Sequence, residues 1–347
     1  MGHKSVKKIF NRVLEELYAT KKIAEVTSLE SAVHTFRTKI DIQIMNRNGF
    51  REPDSVRQRL IKKHEIMLDY FEKTIGDFFD GYNYDEMLLN TDVSLSECIW
   101  ICWWQGVDNA PNIVKRCIES IKKNSGNHRV IVITEDNYKD YVKFPKWVEE
   151  KKKAGIISRT HYSDILRFSL LAEYGGMWLD STFFCAKPNI DEYFQNPIWS
   201  IKRPGYAHCS VASGNFATYS LKCDLEHRWI FAIIRDFFLY YWEKNDMLID
   251  YLTLDYIIVL AQQKNFRIAT AFENIIPNNP SCDELYKILG EPFDEKIWDK
   301  LRKNTTLFKL TWKQEFPIEK DGKETFYAKI LNGTLVCDNS PRNKNII

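Results

Sequence analysis

The chain has 347 residues, of which 44% are hydrophobic and 14% aromatic, enough for at least one large packed core. A formal net charge of only +2 gives no indication of a nucleic-acid-binding protein, so we expect no nucleic-acid partner. Without a transmembrane run, an apolar signal-peptide core or a CxxC pair among its eight cysteines, the sequence predicts a cytoplasmic protein with reduced thiols.

Residues 1–92 are predicted to form a helical N-terminal extension, because apolar residues recur there at helical spacing. Residues 1–80 contain 15 Lys and Arg against 12 Asp and Glu, a mild basic excess. Three interpretations are open: the helices pack against the rest of the chain, form a contact between two copies in a homodimer, or lie peripherally on the anionic inner face of the cytoplasmic membrane. The basic residues are dispersed, which favours either of the first two.

A parallel β-sheet is predicted to begin at Ile99. Residues 99–103 are a continuous apolar run typical of a buried strand, Pro111 suits the start of a helix over residues 112–123, and residues 129–134 are rich in β-branched residues. A strand, a helix and a strand at this spacing predict a βαβ unit with a right-handed crossover. Neither the glycine-rich dinucleotide fingerprint nor a P-loop follows a strand.

The first strand ends in the sequence Trp103-Trp104-Gln105-Gly106. An aromatic side chain exposed at a strand end can stack on a flat nucleotide base. The alternative is that both tryptophans pack in the core, and this alternative is strongest for Trp104.

Residues 157–184 combine a helix, a glycine break and a short strand that ends at a carboxylate. Thr160 or Ser163 is expected to cap the helix, and Gly175-Gly176 to end it. Asp164 and Arg167 are three residues apart and share one helix face, so both can point toward Asp180 at the carboxyl end of the strand. Such a group suits a phosphate and a sugar hydroxyl or a metal, whereas the alternative is an intrahelical ion pair beside a structural Asp.

Further candidates lie in the second half of the chain. Asp250 and Asp255 fall in an aromatic and aliphatic segment, residues 240–256, where a buried carboxylate needs a partner or a polar site. Residues 213–216 predict a turn that either lies near a bound sugar or has no functional role, and the second interpretation is favoured. Residues 309–313 alternate, so a strand there would place Lys309, Thr311 and Lys313 on one side, an arrangement that suits a diphosphate or a solvated edge strand.

Three of these motifs together resemble a known family. W-W-Q-G at residues 103–106, G-G-M-W-L-D-S-T at residues 175–182 and K-L-T-W-K at residues 309–313 are similar to the DxD-containing glycosyltransferases of family 32, in their capsular polysaccharide synthesis branch. The resemblance covers roughly residues 97–315. It implies a GT-A fold, an α/β Rossmann-like and mostly parallel sheet flanked by helices, over residues 93–331, after the helical extension and before a C-terminal tail at residues 332–347.

The resemblance implies a retaining glycosyltransferase. Such an enzyme moves a sugar, a hexose in this class, from a UDP-sugar donor to a hydroxyl of a lipid-linked capsular or exopolysaccharide repeat unit. The site residues implied for it are Trp103 and Gln105 at the base, Asp164 at the donor sugar, Arg167 at sugar and phosphate, Asp180 at ribose and metal, Asp255 near the reacting carbon, and Lys309 and Lys313 on a lid over the diphosphate.

The metal site implied by the resemblance departs from the usual DxD pattern. Asp180 is the only carboxylate of its D-S-T triplet, and Thr182 stands where the second acid of most DxD enzymes holds the metal. Two arrangements are therefore open: Asp180 and Thr182 share a Mn²⁺ or Mg²⁺ ion, since a hydroxyl can ligate Mg²⁺, or a residue distant in the sequence completes the metal site. Two other functions are open: a toxin-like transferase that modifies a protein hydroxyl, and a catalytically silent binding module with this fold.

Overall fold

The computed structural model describes residues 3–47, 52–82 and 93–335. The α-helices of these ranges are α1 (His3–Val26), α2 (Leu29–Arg47), α3 (Asp54–Ile75), α4 (Asn112–Asn124), α5 (Lys146–Lys153), α6 (Arg159–Tyr174), α7 (Asp191–Phe194), α8 (Arg228–Lys244), α9 (Thr253–Lys264), α10 (Phe266–Glu273), α11 (Glu284–Lys287), α12 (Glu295–Arg302) and α13 (Phe326–Leu331). The strands are β1 (Ile99–Cys102), β2 (Val130–Ile133), β3 (Gly176–Leu179), β4 (Phe183–Cys185), β5 (Ile198–Ser200), β6 (Ser220–Cys223), β7 (Leu307–Lys309), β8 (Glu319–Lys320) and β9 (Lys323–Glu324).

A five-stranded sheet with the order β2-β1-β3-β6-β5 forms the centre of the protein. β1 is parallel to both β2 and β3, whereas β6 is antiparallel to β3 and to β5, so four of the five strands run in one direction. This confirms the predicted α/β fold with a mostly parallel sheet flanked by helices. Because Trp100 pairs with Trp178, the carboxyl ends of β1 and β3 meet at one edge of the sheet.

The two faces of the sheet pack into two hydrophobic clusters. Trp100 and Trp178 point to one side, where α6, α8 and α9 cover the sheet, while Ile99 and Met177 point to the other, which α4 and β7 cover. This alternation is the expected period-two pattern of a strand that is buried on both faces. The near-continuous apolar sequence of β1 and β3 therefore follows from burial on both sides.

The N-terminal helices pack against the helices on the first face. Ala19, Ile23 and Phe71 belong to the same buried cluster as Tyr241 and Tyr256. This agrees with the interpretation of the extension as a segment packed on the rest of the chain. The described part of the chain contains no helix that is both long enough and apolar enough to cross a membrane.

Polar groups also join α3 to the region of α9. The Lys63 ammonium lies 2.7 Å from the Asp250 carboxylate, and their side chains are only 1% and 3% exposed. The His64 Nδ1 atom lies 2.7 Å from the Tyr256 hydroxyl. Asp250 therefore has a structural partner, which leaves Asp255 as the carboxylate of this segment that can face a site.

One local prediction needs correction. Ser158, and not Thr160 or Ser163, caps α6, because its hydroxyl accepts a hydrogen bond from the His161 backbone N–H. Residues 240–256 span the end of one helix and the start of the next, since α8 ends at Lys244 and α9 begins at Thr253. The turn between them is stabilised by the Asp250 carboxylate, which accepts from the Leu252 backbone N–H at 2.9 Å.

The predicted domain boundaries after residues 92 and 331 stay predictions. Residues 83–92 lie outside the described residues, as do residues 336–347 of the predicted tail. Leu335 at the start of that tail is buried and belongs to the second hydrophobic cluster.

Candidate active site

Two glycines bring α6 close against the sheet. Gly175 and Gly176 have φ angles of +75° and +81°, a region that residues with a side chain rarely adopt. A Cβ on Gly176 would lie 2.4 Å from the Cys98 carbonyl oxygen of β1. The Trp100 indole N–H also donates to the Gly175 carbonyl at 2.9 Å. This tight connection fixes the side chains of α6 relative to the end of β3.

Arg167 lies between the two acids that the sequence predicts to meet. Its Nη2 atom is 3.3 Å from the Asp164 carboxylate and 3.3 Å from the Asp180 carboxylate. Its Nη1 atom donates to the Thr218 carbonyl, and the guanidinium carbon lies 5.0 Å from the centre of the Trp178 ring. The side chain is 7% exposed, so this arginine is held by its neighbours rather than by solvent. The structure thus brings Asp164, Arg167 and Asp180 together as expected.

Lys309 completes this group from a distant part of the sequence. β4 and β7 pair antiparallel with Phe183 opposite Lys309, which places the lysine beside the turn after Asp180. The Lys309 ammonium lies 2.9 Å from Asp180 Oδ2 and 2.6 Å from Thr182 Oγ1. Burial alone would raise the pKa of Asp180, but Lys309 and Arg167 outweigh burial and hold that pKa below its usual value.

A cavity of about 670 Å³ opens from these charges. Asp164, Arg167, Asp180 and Asp255 all line it, so four of the predicted catalytic residues share one pocket. Met45 and Glu52 line it too, which makes the N-terminal segment one wall of the site. This volume is in the range of small-molecule sites in proteins.

The three carboxylates of the pocket influence one another. Burial, and secondly the nearby Asp180, raise the pKa of Asp164 to about 6, against the opposing effect of Arg167. Burial and the Asp164 charge raise the pKa of Asp255 to about 7. Among the described residues Asp255 forms no salt bridge, although it sits in the first turn of α9, where a negative charge is favourable. These acids are therefore partly protonated near neutral pH while Asp180 stays ionised.

The raised pKa of Asp255 gives a pH-dependent stability. The folded protein keeps a proton on Asp255 that the unfolded chain releases near the ordinary pKa of 3.8, so the contribution of this group to the free energy of unfolding falls as the pH rises from about 4 to about 7. We expect Asp255→Asn to raise the free energy of unfolding by ~1 kcal/mol or more at pH 8, with a gain that vanishes toward pH 4. Urea titrations at both pH values measure this, and a gain that does not vary with pH would contradict it.

Trp103 and Trp104 have different surroundings. Trp104 is buried in the core, and its indole N–H donates to the Ser163 hydroxyl at 2.6 Å. Trp103 is half-buried and meets Trp312 edge to face, with ring centres 5.5 Å apart. Its indole nitrogen has no hydrogen-bond partner among the described residues. Core packing therefore accounts for Trp104, whereas Trp103 lies near the edge of the sheet with its indole nitrogen buried and unpartnered among the described residues.

The opposite wall of the pocket holds residues that the sequence did not indicate. The Arg203 guanidinium pairs with Asp283, donates to the Tyr219 hydroxyl at 3.0 Å and lies 3.9 Å from the centre of the Tyr206 ring. The turn at residues 213–216 also contributes, since Gly214 and Phe216 line the pocket. The prediction that this turn has no functional role stays a prediction, although the turn borders the cavity. An isolated Arg in a loop-rich stretch gave no signal, because its partner is 80 residues away.

Four predicted donor-binding residues, Trp103, Gln105, Lys309 and Lys313, do not line the cavity, although Lys309 contacts Asp180, which does. β7 ends at Lys309, so the predicted strand over residues 309–313 is wrong: its partner β4 has only three residues, and Thr311 accepts from the Lys313 backbone N–H in a turn. The side chains of Gln105 and Lys313 are exposed, and neither residue lines the cavity. Their predicted roles stay predictions that depend on movement of the segments around them.

Comparison with known families identifies the group to which this arrangement belongs. The model of a family described as capsular polysaccharide synthesis protein matches residues 46–330. The chain belongs to this family. Comparison with curated proteins and with solved structures found no match. The capsular polysaccharide synthesis match begins at the end of α2, so it spans α3, the whole central sheet and nearly all of the pocket.

The metal expected in this capsular polysaccharide synthesis protein does not fit the residues as they are arranged. Among the described residues no group of three or more His, Cys, Asp and Glu side chains is placed to hold a metal ion. Asp180 Oδ2 and Thr182 Oγ1, the two predicted ligands, both contact the Lys309 ammonium instead. Asp180 Oδ1 accepts from the Trp178 indole N–H at 3.0 Å. The Lys309 ammonium is thus already present as a cation between the two predicted metal ligands.

Proposed function

We propose that the chain is a glycosyltransferase of GT-A fold that moves a sugar from a UDP-sugar to a hydroxyl of a lipid-linked capsular or exopolysaccharide intermediate. One observation supports this most: Arg167 and Lys309 converge on Asp180 at the carboxyl edge of a mostly parallel sheet, beside a pocket of about 670 Å³. Ligands of open α/β sheets bind at this edge. Membership of the capsular polysaccharide synthesis family is consistent with that reaction.

In this proposal the donor lies across the ends of β1 and β3. The diphosphate contacts Arg167 and Lys309, since a guanidinium suits phosphate oxygens and an ammonium supplies a point charge. The base stacks near Trp103, which is half-buried directly after β1. Asp180 accepts from ribose or sugar hydroxyls, and Asp164 holds the donor sugar inside the pocket.

The reaction exchanges one bond at the anomeric carbon of the donor sugar. The bond to the diphosphate breaks, and UDP leaves with its electron pair while Arg167 and Lys309 stabilise the charge. The acceptor hydroxyl forms the new bond and passes its proton to the departing phosphate. Asp255 lies near the reacting carbon, and the anomeric configuration is retained, as in the family 32 enzymes that the motifs resemble.

The test is a panel of nucleotide sugars with two readouts. We expect one UDP-sugar to raise the melting temperature of the purified chain, because a ligand that binds only the folded state stabilises it, and to be hydrolysed or transferred with release of UDP. A melting shift without UDP release from any donor would favour the silent binding module. The absence of both a melting shift and UDP release with every donor of the panel would contradict the proposal.

The acceptor side of the proposal is supported by an apolar stripe on α2. Val33, Phe36, Ile40 and Ile44 recur at helical spacing, and each is between 38% and 56% exposed. The stripe ends at Ile44, next to Met45 of the pocket wall. Residues 3–47 also contain nine basic against five acidic residues. We propose that this surface contacts an anionic bilayer, which would bring lipid-linked acceptors to the pocket.

A vesicle experiment tests this surface. We expect the chain to float with phosphatidylglycerol vesicles but not with phosphatidylcholine vesicles, and Phe36→Gln/Ile40→Gln to abolish flotation. Ile61→Gln, which changes an exposed apolar residue on α3, is the matched control and should float as the wild type does. Unchanged flotation of the double variant would contradict the proposal, as would a concentration-dependent dimer that the double variant loses.

A further inference from the structure

We propose that Lys309 takes the place of the divalent cation, so that this site binds its nucleoside diphosphate without a metal. The inference rests on the proposed function and adds to it the chemistry by which the diphosphate is neutralised. It departs from the expectation that Asp180 and Thr182 share Mn²⁺ or Mg²⁺.

The ammonium group of Lys309 lies where the metal ion would bind. The Lys309 Nζ atom contacts Asp180 Oδ2 at 2.9 Å and Thr182 Oγ1 at 2.6 Å, the two oxygens that a metal would need. A divalent ion bound to both oxygens would have to displace this group. The other Asp180 oxygen is within 3.3 Å of Arg167 and 3.0 Å of the Trp178 indole nitrogen. Both carboxylate oxygens are thus already matched to donors of the chain.

The backbone around Lys309 holds the lysine in this place. Lys309 is the last residue of β7, and its backbone N–H donates to the Cys282 carbonyl at 2.9 Å. The next backbone N–H, that of Leu310, donates to the Thr182 carbonyl at 2.9 Å. The ammonium also lies 5.5 Å and 5.4 Å from the ring centres of Phe183 and Tyr219. These contacts distinguish Lys309 from a mobile surface lysine that a metal could easily replace.

Two side chains supply the positive charge that the donor diphosphate needs. Arg167 and Lys309 together carry two positive charges, the same as one divalent cation, and they approach Asp180 from different elements. An arginine fork and a lysine can stabilise a leaving diphosphate as a metal ion does, provided that they are preorganised in a site with little water. The Arg167 and Lys309 side chains are 7% and 22% exposed, respectively, so both lie in a site with little water.

Calorimetric binding of UDP to the full chain tests the inference. We expect the Kd of the wild type for UDP to be the same within about threefold in EDTA and in Mn²⁺. Lys309→Met should weaken UDP binding at least about tenfold in EDTA, and Mn²⁺ should restore part of the affinity, because Asp180 and Thr182 are then free to bind it; an effect of this size is 1.4 kcal/mol or more. Lys309→Arg should remain insensitive to EDTA.

Controls distinguish a failure of this inference from a failure of the proposed function. Lys300→Met removes an exposed lysine of α12 and should bind UDP as the wild type does in both buffers. UDP binding by the wild type that needs Mn²⁺, or a tight Mn²⁺ signal in the electron paramagnetic resonance spectrum of the UDP complex, would overturn the inference while leaving the transferase intact. No UDP binding in either buffer would instead overturn the proposed function. If Lys309→Met fails to fold, the wild-type comparison alone decides.

Discussion

Asp180→Asn is expected to lower kcat/KM for UDP release by a factor on the order of 10² to 10³, the range found when one preorganised electrostatic group is removed from an active site. The substitution keeps the shape of the side chain but removes the charge that Arg167 and Lys309 share. An amide also presents an NH₂ group toward one of these cations, so at least one of them must move. The donor would then meet cations in the wrong positions.

A continuous assay of UDP release, with the melting temperature as a check of folding, measures this effect. Asp299→Asn is the matched control, because Asp299 pairs with Arg302 on the exposed face of α12 and does not line the pocket. We expect the control to retain full activity. Wild-type turnover by a folded Asp180→Asn variant would remove Asp180 from the mechanism and leave the converging charges as a structural ion pair.

Lys63→Met is expected to reduce the free energy of unfolding by about 3 kcal/mol or more, because removing one member of a buried ion pair leaves the other charge uncompensated. Among the described residues, Asp250 would keep only Lys39, at 3.9 Å, as a cationic partner. The ammonium of Lys63 also lies 3.3 Å from the Tyr256 hydroxyl, so a second polar group loses a neighbour. Urea denaturation followed by fluorescence measures the loss.

Two further variants test whether the pair itself is responsible. Lys63→Met/Asp250→Asn removes the buried charge while keeping the acceptor for the Leu252 N–H, and we expect it to recover at least half of the lost stability. Lys62→Met removes an exposed lysine from the same helix, and it should change the stability by no more than about 0.5 kcal/mol. Equal losses in the single and the double variant would contradict this explanation.

The α6–β3 unit could be predicted from the sequence because it is local. Asp164, Arg167 and Asp180 fall within one helix, one glycine break and one short strand, so spacing alone places them together. The parallel pairing of β1 with β2 likewise follows from the βαβ pattern, whereas the pairing of β1 with β3, which brings Trp103 to the same edge, was not predicted. In these cases the distance along the chain is short and the hydrophobic period is clear.

The remaining parts of the site depend on contacts that no local pattern encodes. Lys309 reaches Asp180 through the pairing of β4 with β7, across more than 120 residues, and the strand that carries it is shorter than its alternating sequence indicated. Arg203 and Asp283 meet across 80 residues of loops and helices. Met45 and Glu52 reach the pocket only because three N-terminal helices pack on the first face of the sheet. The sequence shows the chemical character of the side chains at these positions, but it does not show that they lie together at the site.

The buried contact between α3 and the start of α9 has a practical consequence for the design of expression fragments. A fragment that begins at residue 93, the predicted start of the transferase region, would contain Asp250 and Tyr256 but lack both Lys63 and His64. It would expose a carboxylate without its counter-ion together with the apolar surface that Phe71 covers. We expect such a fragment to aggregate, so that crystallisation and assay work should retain the N-terminal helices.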